Sequence, residues 1–118
     1  MIKDHGKNYS DLEKLLAQIN EEIPTVMTGF NNLQKAIISD GVLTNKTKEL
    51  IALGIAITNR CDVGIPYQVK NSLDAGASFH EIMETIGVAI LMGGKMAMVN
   101  GCEALEALDQ FIVLEKNG

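Results

Sequence analysis

The sequence predicts an all-α domain of about six helices, and three observations lead to that prediction. Apolar residues recur every three or four positions along most of the chain, which is the spacing of one helix face. Aromatic residues are only 4% of the composition and Trp is absent, so the core must use the aliphatic residues and Met, a set that favours helices. No hairpin signal joins two alternating segments. A length of 118 residues suits a single domain.

The first part of the chain is predicted to be a flexible lead-in at 1–9 and a helical hairpin at 10–41. Ser10 and Glu13 form a Ser-x-x-Glu capping box that would begin the first helix. Pro24 separates the two helices, and Gly41 ends the second. Both helices carry apolar residues at helical spacing along one face: Leu12, Leu15, Leu16, Ile19 and Ile23 in the first, and Val26, Phe30, Leu33 and Ile37 in the second.

The segment 42–118 is predicted to form the core of the domain, and it begins with the third and fourth helices. Thr44 suits the N-cap of a helix at about 45–60. The second half of that helix, "LIALGIAI", is apolar nearly all round, so we expect it at the centre with neighbours on several sides. The chain must break near Gly64, after which a fourth helix with Ile65 and Val69 on its buried face runs to Gly76.

The last two helices are separated by a pair of glycines. Ser78 and Glu81 form a second capping box that opens the fifth helix, and Gly93 and Gly94 interrupt it. A sixth helix is expected over about 96–114. Its predicted buried side carries Val99, Cys102, Leu105, Leu108 and Ile112.

Composition and charge exclude several functional classes. The net charge of −5 offers no basic patch for nucleic acid. Two cysteines, 41 positions apart, and two histidines, His5 and His80, match no zinc-ligand spacing, so we predict no metal and no cofactor. The N-terminus is too polar for a signal peptide and the longest apolar run, "GVAILMGG", is too short to span a bilayer. We therefore expect a cytoplasmic protein with reduced thiols and no membrane partner.

The helices between residues 45 and 114 carry more apolar surface than a lone small bundle can bury. The fifth helix contains the unbroken run "VAILM", and the sixth adds Met96 and Met98 close to its start. Large exposed apolar patches are rare on monomers. We therefore expect a homo-oligomer.

The stretch "NRCDVGIPYQVK", residues 59–70, places a thiol at the junction of two helices. It follows "VLTNKTKELIALGIAIT" and precedes "NSLDAGASFHEIMETIGVAILMGG" and "NGCEALEALDQF". Over about residues 42–111 this order resembles the alkylhydroperoxidase D / carboxymuconolactone decarboxylase family. The resemblance implies an all-helical fold that assembles into trimers or hexamers.

The thiol-active branch of that family uses a Glu, then Cys-x-x-Cys, then a His four residues further on. The resemblance places Glu49 and Cys61 at the Glu and first Cys positions, as the catalytic candidates. Gly64 and Gln68 stand at the positions of the second Cys and the His, as pocket candidates. Gly64 cannot resolve a mixed disulfide, and Gln68 cannot take up a proton near neutral pH. The resemblance therefore argues against two-cysteine peroxidase chemistry.

The decarboxylase branch of the family, which acts on a carboxylated muconolactone, generally lacks the cysteine pair. Such an anionic substrate calls for cationic or histidine groups in the pocket, and the candidates here are Arg60, Lys70 and His80. Cys102 is expected in the core and could resolve Cys61 only if their Cα atoms came within about 7 Å.

Two hypotheses remain open. In the first, Cys61 is a peroxide-reactive thiol, Glu49 accepts a proton, and an external thiol resolves the intermediate. In the second, the protein is a non-redox helical oligomer whose pocket binds a small molecule or performs lactone decarboxylase-type chemistry.

Overall fold

The computed structural model describes residues 2–61 and 64–117, and it confirms the all-α prediction. Within those residues every regular element is a helix. The elements are α1 (His5–Glu22), α2 (Pro24–Ile38), α3 (Asn45–Thr58), α4 (Gly64–Asp74) and α5 (Phe79–Asn117).

The core lies where α3, α4 and α5 pack against one another, and α1 covers one side of α4 and α5. Leu53 and Ile57 from α3 are fully buried, as are Ile65 and Val69 from α4. Helix α5 contributes two apolar strips, one from each of its halves. Their buried members are Ile82, Ile86, Ala89, Ala97, Ala104, Ala107, Leu108 and Phe111.

The predicted fifth and sixth helices are both present and follow each other directly within α5, where a kink at the predicted glycine pair separates them. Gly94 has φ 71° and ψ −150°, a conformation that is open to glycine and strained for other residues. The bend turns the second half of α5 so that both halves reach α3. The predicted capping box at the start of α5 is also present: Ser78 N donates to Glu81 Oε1 at 2.8 Å, and Glu81 N donates to Ser78 Oγ at 3.1 Å.

The first helix begins five residues earlier than its predicted capping box. Asp4 caps α1 by accepting a hydrogen bond from Lys7 N at 3.0 Å, so Ser10 lies inside the helix. His5 is 1% exposed, and its backbone N–H donates to Gln110 on α5. The prediction of a helix start at Ser10 was wrong because contacts with the far end of the chain fix this segment.

The apolar face predicted for the second helix is present on α2, and it is exposed. Val26, Phe30, Leu33 and Ile37, which we call the α2 stripe, are each between 55% and 63% exposed. On α1, Leu15, Ile19 and Ile23 are also exposed. The reason is that α2 packs only against α1 and the start of α3, and none of its residues is buried.

The second half of α5 faces the core with part of the predicted set, since Leu108 is fully buried and Ile112 packs against the core, but two of the predicted residues point outward. Cys102 and Val99 are exposed, while Gly101 and Ala104 are buried. A Cβ at Gly101 would lie 2.8 Å from Ile86 Cγ2, so the two halves of α5 approach too closely there for a side chain. Small residues therefore occupy the contact, and the prediction that Cys102 lies in the core was wrong.

In the described part of the chain one helix, α5, has the length and composition to cross a membrane. Core helices of soluble proteins can have the same length and composition, so this finding is weak evidence for a membrane span. The absence of a membrane partner stays a prediction.

Candidate functional site

Glu49 lies in the second turn of α3 and points into the protein. Thr44 caps this helix by accepting from Thr47 N at 3.1 Å, which confirms the predicted N-cap. Glu49, Leu53 and Ile57 follow one another at intervals of four residues and share the buried face. Glu49 is only 8% exposed, so it is a buried carboxyl and not the solvated surface residue that its sequence position alone would favour.

Two polar residues of α4 approach the backbone of Glu49. Gln68 Nε2 donates to the Glu49 carbonyl oxygen at 3.3 Å. Ser72 Oγ lies 3.4 Å from the same oxygen and 2.9 Å from the Gln68 carbonyl. The structure therefore brings Gln68 to the backbone of Glu49, with Ser72 as a third member that the sequence analysis missed.

The surroundings of Glu49 favour its protonated form. Burial raises the pKa of the Glu49 carboxyl, and a hydrogen bond from the Gln68 side chain partly opposes that increase. Raised carboxyl pKa values are typical of groups that donate or exchange protons near neutral pH.

A cavity of about 350 Å³ opens beside Glu49 between α2, α3 and α4. This volume is within the range of small-molecule sites, which is roughly 300–1,000 Å³. Most of its lining residues have polar side chains, with several amides, one carboxyl, one ammonium group and one phenol. The lining residues are Asn31, Gln34, Lys35, Ile38, Asn45, Glu49, Tyr67 and Asn71.

The cavity wall formed by α2 is attached to α3 at its C-terminal end. Lys48 Nζ donates to the carbonyl oxygens of Ile37 and Ser39, each at 2.7 Å. Asn45 Nδ2 donates to the Ile38 carbonyl at 3.0 Å. These side chains satisfy carbonyls that the end of a helix leaves without partners, and they place the polar side of α2 beside Glu49.

Cys61 lies at the other end of α3, at the turn into α4. Its carbonyl accepts from Ile65 N at 2.9 Å, so its backbone begins the first turn of α4. The side chain is exposed and the thiol is free. A Cβ added to Gly64 would overlap Cys61 Sγ and would lie 3.1 Å from Cys61 Cβ. Gly64 therefore leaves room for the thiol at the place where the family motif has a second cysteine.

Among the described residues, Cys61 lies apart from the cavity beside Glu49. From Glu49 to the end of α3 at Thr58 the helix rises about 14 Å, and Cys61 lies beyond that end. Neither Cys61 nor Gly64 lines the cavity beside Glu49. The geometry thus divides the predicted site into an exposed thiol and a buried carboxyl.

None of the cationic candidates named from the sequence lines the cavity beside Glu49. Arg60 is exposed with φ 59° at the turn after α3, and His80 is exposed next to Phe79. Lys70 pairs with Asp74 at 2.6 Å on α4. The cation that lines the Glu49 cavity is Lys35, which the sequence analysis missed because no motif marks it. No group of three or more potential metal ligands occurs among the described residues.

A second cavity, of about 510 Å³, is a groove between α3 and the first half of α5. No charged residue lines this α3–α5 groove, and its wall is almost entirely apolar. It is lined by Thr47, Leu50, Ile51, Gly54, Ile55, Thr58, Asn59, Thr85, Val88, Ala89 and Met92. With no titratable group, it is suited to packing against another apolar surface.

The close approach of Gly64 to Cys61 predicts the result of restoring the second cysteine. Gly64→Cys is expected to form a disulfide with Cys61 on mild oxidation, because the two Cβ atoms need to separate by only about 0.5 Å to reach disulfide geometry. Alkylation and mass spectrometry should show two thiols lost from the oxidised variant. Gly64→Ser is the matched control and should keep both native thiols, and full alkylation of oxidised Gly64→Cys would contradict the described geometry.

Comparison with known proteins identifies relatives of this chain. Residues 24–107 match the model of the carboxymuconolactone decarboxylase family. An uncharacterised protein of Cupriavidus necator is 29% identical over 107 residues, covering 85% of this chain and 95% of that protein. The uncharacterised protein 4 of the cox locus of Paracoccus denitrificans is 37% identical over 81 residues, covering 69% of this chain and 73% of that protein.

Two solved structures share the fold. The crystal structure of a carboxymuconolactone decarboxylase family protein from Legionella pneumophila superposes with a TM-score of 0.86 at 36% identity, covering 91% of this chain and 96% of that one. A structure from Thermotoga maritima gives a TM-score of 0.81 at 31% identity, covering 93% of this chain and all of that one.

Proposed function

The chain belongs to the carboxymuconolactone decarboxylase family, and we propose that it performs proton-transfer chemistry on a small carboxylated lactone, with Glu49 as the proton donor. The observation that carries this proposal is a buried carboxyl of raised pKa on the wall of a cavity of ligand size that polar residues line. The exposed thiol lies outside that cavity.

In the proposed reaction the substrate loses CO₂ and leaves the bonding electron pair on carbon. Glu49 donates its proton to that carbon, which forms the new C–H bond and leaves the Glu49 carboxylate. A proton from solvent then restores the carboxylic acid. Such a donor must be protonated near neutral pH, and the raised pKa of Glu49 favours that state.

The other groups of the cavity suit an anionic substrate. Lys35 supplies a positive charge for a carboxylate, and the amides of Asn31, Asn45 and Asn71 offer donors for lactone oxygens. Gln68 remains bound to the Glu49 backbone and side chain, so its role in this proposal is to position the acid.

A second candidate function depends on Cys61. Its exposure would allow the thiolate to attack a peroxide, which forms a sulfenic acid and releases an alcohol or water. One external thiol would condense with the sulfenic acid and release water, and a second would reduce the resulting disulfide. Since Gly64 and Gln68 replace the partner thiol and the histidine, this route is the less well supported of the two.

The test is CO₂ release from 4-carboxymuconolactone, measured with the wild type and with Lys35→Gln. We expect turnover by the wild type and a KM raised about tenfold or more in Lys35→Gln, because the carboxylate loses its cation. Lys14→Gln makes the same charge change on an exposed part of α1 and should match the wild type. Peroxide consumption that disappears in Cys61→Ser, with no CO₂ release by the wild type, would support the second candidate instead.

A further inference from the structure

A third cavity, of about 330 Å³, lies between the first half of α1 and the start of α4. We call it the His5 cavity, because His5 lines it together with Tyr9, Pro66 and Tyr67. Its volume falls in the lower part of the range of small-molecule sites, which is roughly 300–1,000 Å³. Tyr67 lines both this cavity and the Glu49 cavity, so the two spaces are neighbours that share one wall residue.

The imidazole of His5 is buried with only one of its two nitrogens paired. The residue is 1% exposed, and Nε2 lies 2.8 Å from Glu106 Oε1 on α5. Nδ1 is buried and has no hydrogen-bond partner among the described residues. Buried polar atoms in native proteins are nearly always paired. An unpaired nitrogen on a residue that lines a cavity therefore points to a bound molecule that supplies the partner.

The contact with Glu106 determines which partner Nδ1 needs. A carboxylate only accepts hydrogen bonds, so Nε2 carries the proton that it donates to Glu106. In the neutral imidazole the other nitrogen is then an acceptor. The partner of Nδ1 must therefore be a donor, such as a hydroxyl group.

The charged groups around the His5 cavity disfavour an anionic ligand. Asp11 and Glu103 line the cavity, and the lysine that lines it, Lys3, pairs with Glu103 at 2.7 Å. Burial, followed by the nearby carboxylate of Glu13, raises the pKa of Tyr9 to about 12, so the Tyr9 hydroxyl stays neutral. The same surroundings favour a neutral hydroxyl on the ligand over a negatively charged group.

The remaining walls suit a flat, apolar ring. Tyr9 and Tyr67 stack with their ring centroids 5.4 Å apart, and Pro66 lies next to Tyr67 in the first turn of α4. Leu12 and Leu15 add aliphatic surface from α1. Aromatic rings pack well against such groups, in stacked or edge-to-face arrangements.

We propose that the His5 cavity binds a small neutral aromatic molecule whose hydroxyl group donates a hydrogen bond to His5 Nδ1, as a phenol does. This site involves neither Glu49 nor Lys35. Binding can be measured with no lactone present, so the proposal does not depend on the proposed reaction.

Nitrogen-15 NMR of the two histidines tests this contact in the wild type. At about pH 8, above the ordinary imidazole pKa of about 6.5, added phenol should shift the Nδ1 resonance of His5. The ring resonances of His80, which is exposed on α5, should stay in place and serve as the internal control. Anisole has the same ring without a hydroxyl proton and should shift the His5 resonance much less. No shift with phenol, or an equal shift with anisole, would overturn the proposal.

A matched pair of variants provides the second measurement. His5→Gln keeps an N–H donor for Glu106 but removes the Nδ1 acceptor, so the Kd for phenol should rise about tenfold, the effect of losing one hydrogen bond. His80→Gln makes the same change at an exposed position and should bind phenol as the wild type does.

The Kd values are obtained from the shift of the Tyr67 backbone amide, and circular dichroism checks that each variant is folded. The NMR result for the wild type decides the question if His5→Gln does not fold. Equal affinities of the wild type and folded His5→Gln, or tighter binding of benzoate than of phenol by the wild type, would contradict the proposed contact.

Discussion

Glu49→Gln is expected to lower kcat for CO₂ release by about 10²–10⁴, because an amide cannot deliver the proton that general acid catalysis supplies. KM should change little, since Gln has nearly the same shape as Glu and the cavity keeps Lys35. Steady-state kinetics over several substrate concentrations will separate the two parameters.

Cys61→Ser is the control for this prediction. Its kcat should stay within about twofold of the wild type, because the thiol lies outside the cavity and beyond the far end of α3. A large fall in kcat for Cys61→Ser with little change for Glu49→Gln would contradict the assignment of Glu49 as the proton donor.

Leu53→Ala is expected to lower the free energy of unfolding by about 2–5 kcal/mol, the cost of truncating a fully buried Leu. Leu53 is 0% exposed and lies one turn after Glu49, on the face of α3 that contacts the core. The substitution should leave an unfilled cavity. Helices α4 and α5 also pack against α3, which limits how far the surrounding side chains can move to fill it.

Urea unfolding at one fixed protein concentration will measure this loss, since assembly would otherwise change the apparent stability. Val113→Ala removes two methyl groups from an exposed position on α5 and should change the free energy of unfolding by less than about 0.5 kcal/mol. Similar losses for both variants would show that Leu53 is not at the centre of the core.

The parts of the fold that local sequence signals determine were predictable. Thr44 and the Ser78–Glu81 box mark helix starts by hydrogen bonds within a few residues, and Gly94 marks the bend by its backbone conformation. Each of these signals lies next to the feature it causes. The family resemblance was confirmed as well.

The errors arose where distant contacts override a local signal. Asp4 and His5 begin α1 ahead of the Ser10 box because His5 contacts α5, about a hundred positions away in sequence. Cys102 is exposed because α5 turns Gly101 toward the core, where only a small residue fits.

The arrangement of the candidate site residues could not be predicted from the sequence. The family motif named Glu49, Cys61, Gly64 and Gln68, and the structure joins Glu49 to Gln68 while leaving Cys61 apart. Lys35 could not be identified as a cavity residue from the sequence, because its position in the cavity depends on how α2 lies against α3. The burial that raises the Glu49 pKa is likewise a property of the packing.

Titration of the Glu49 carboxyl tests most directly whether this residue is a proton-donating acid in a ligand cavity. Carbon-13 NMR of the Glu49 carboxyl, assigned by comparison with Glu49→Gln, will give its pKa with and without the lactone product. The account predicts a midpoint above the ordinary value of 4.5 and a change in that midpoint when the ligand is added. A midpoint at or below 4.5 that the ligand leaves unchanged would contradict it.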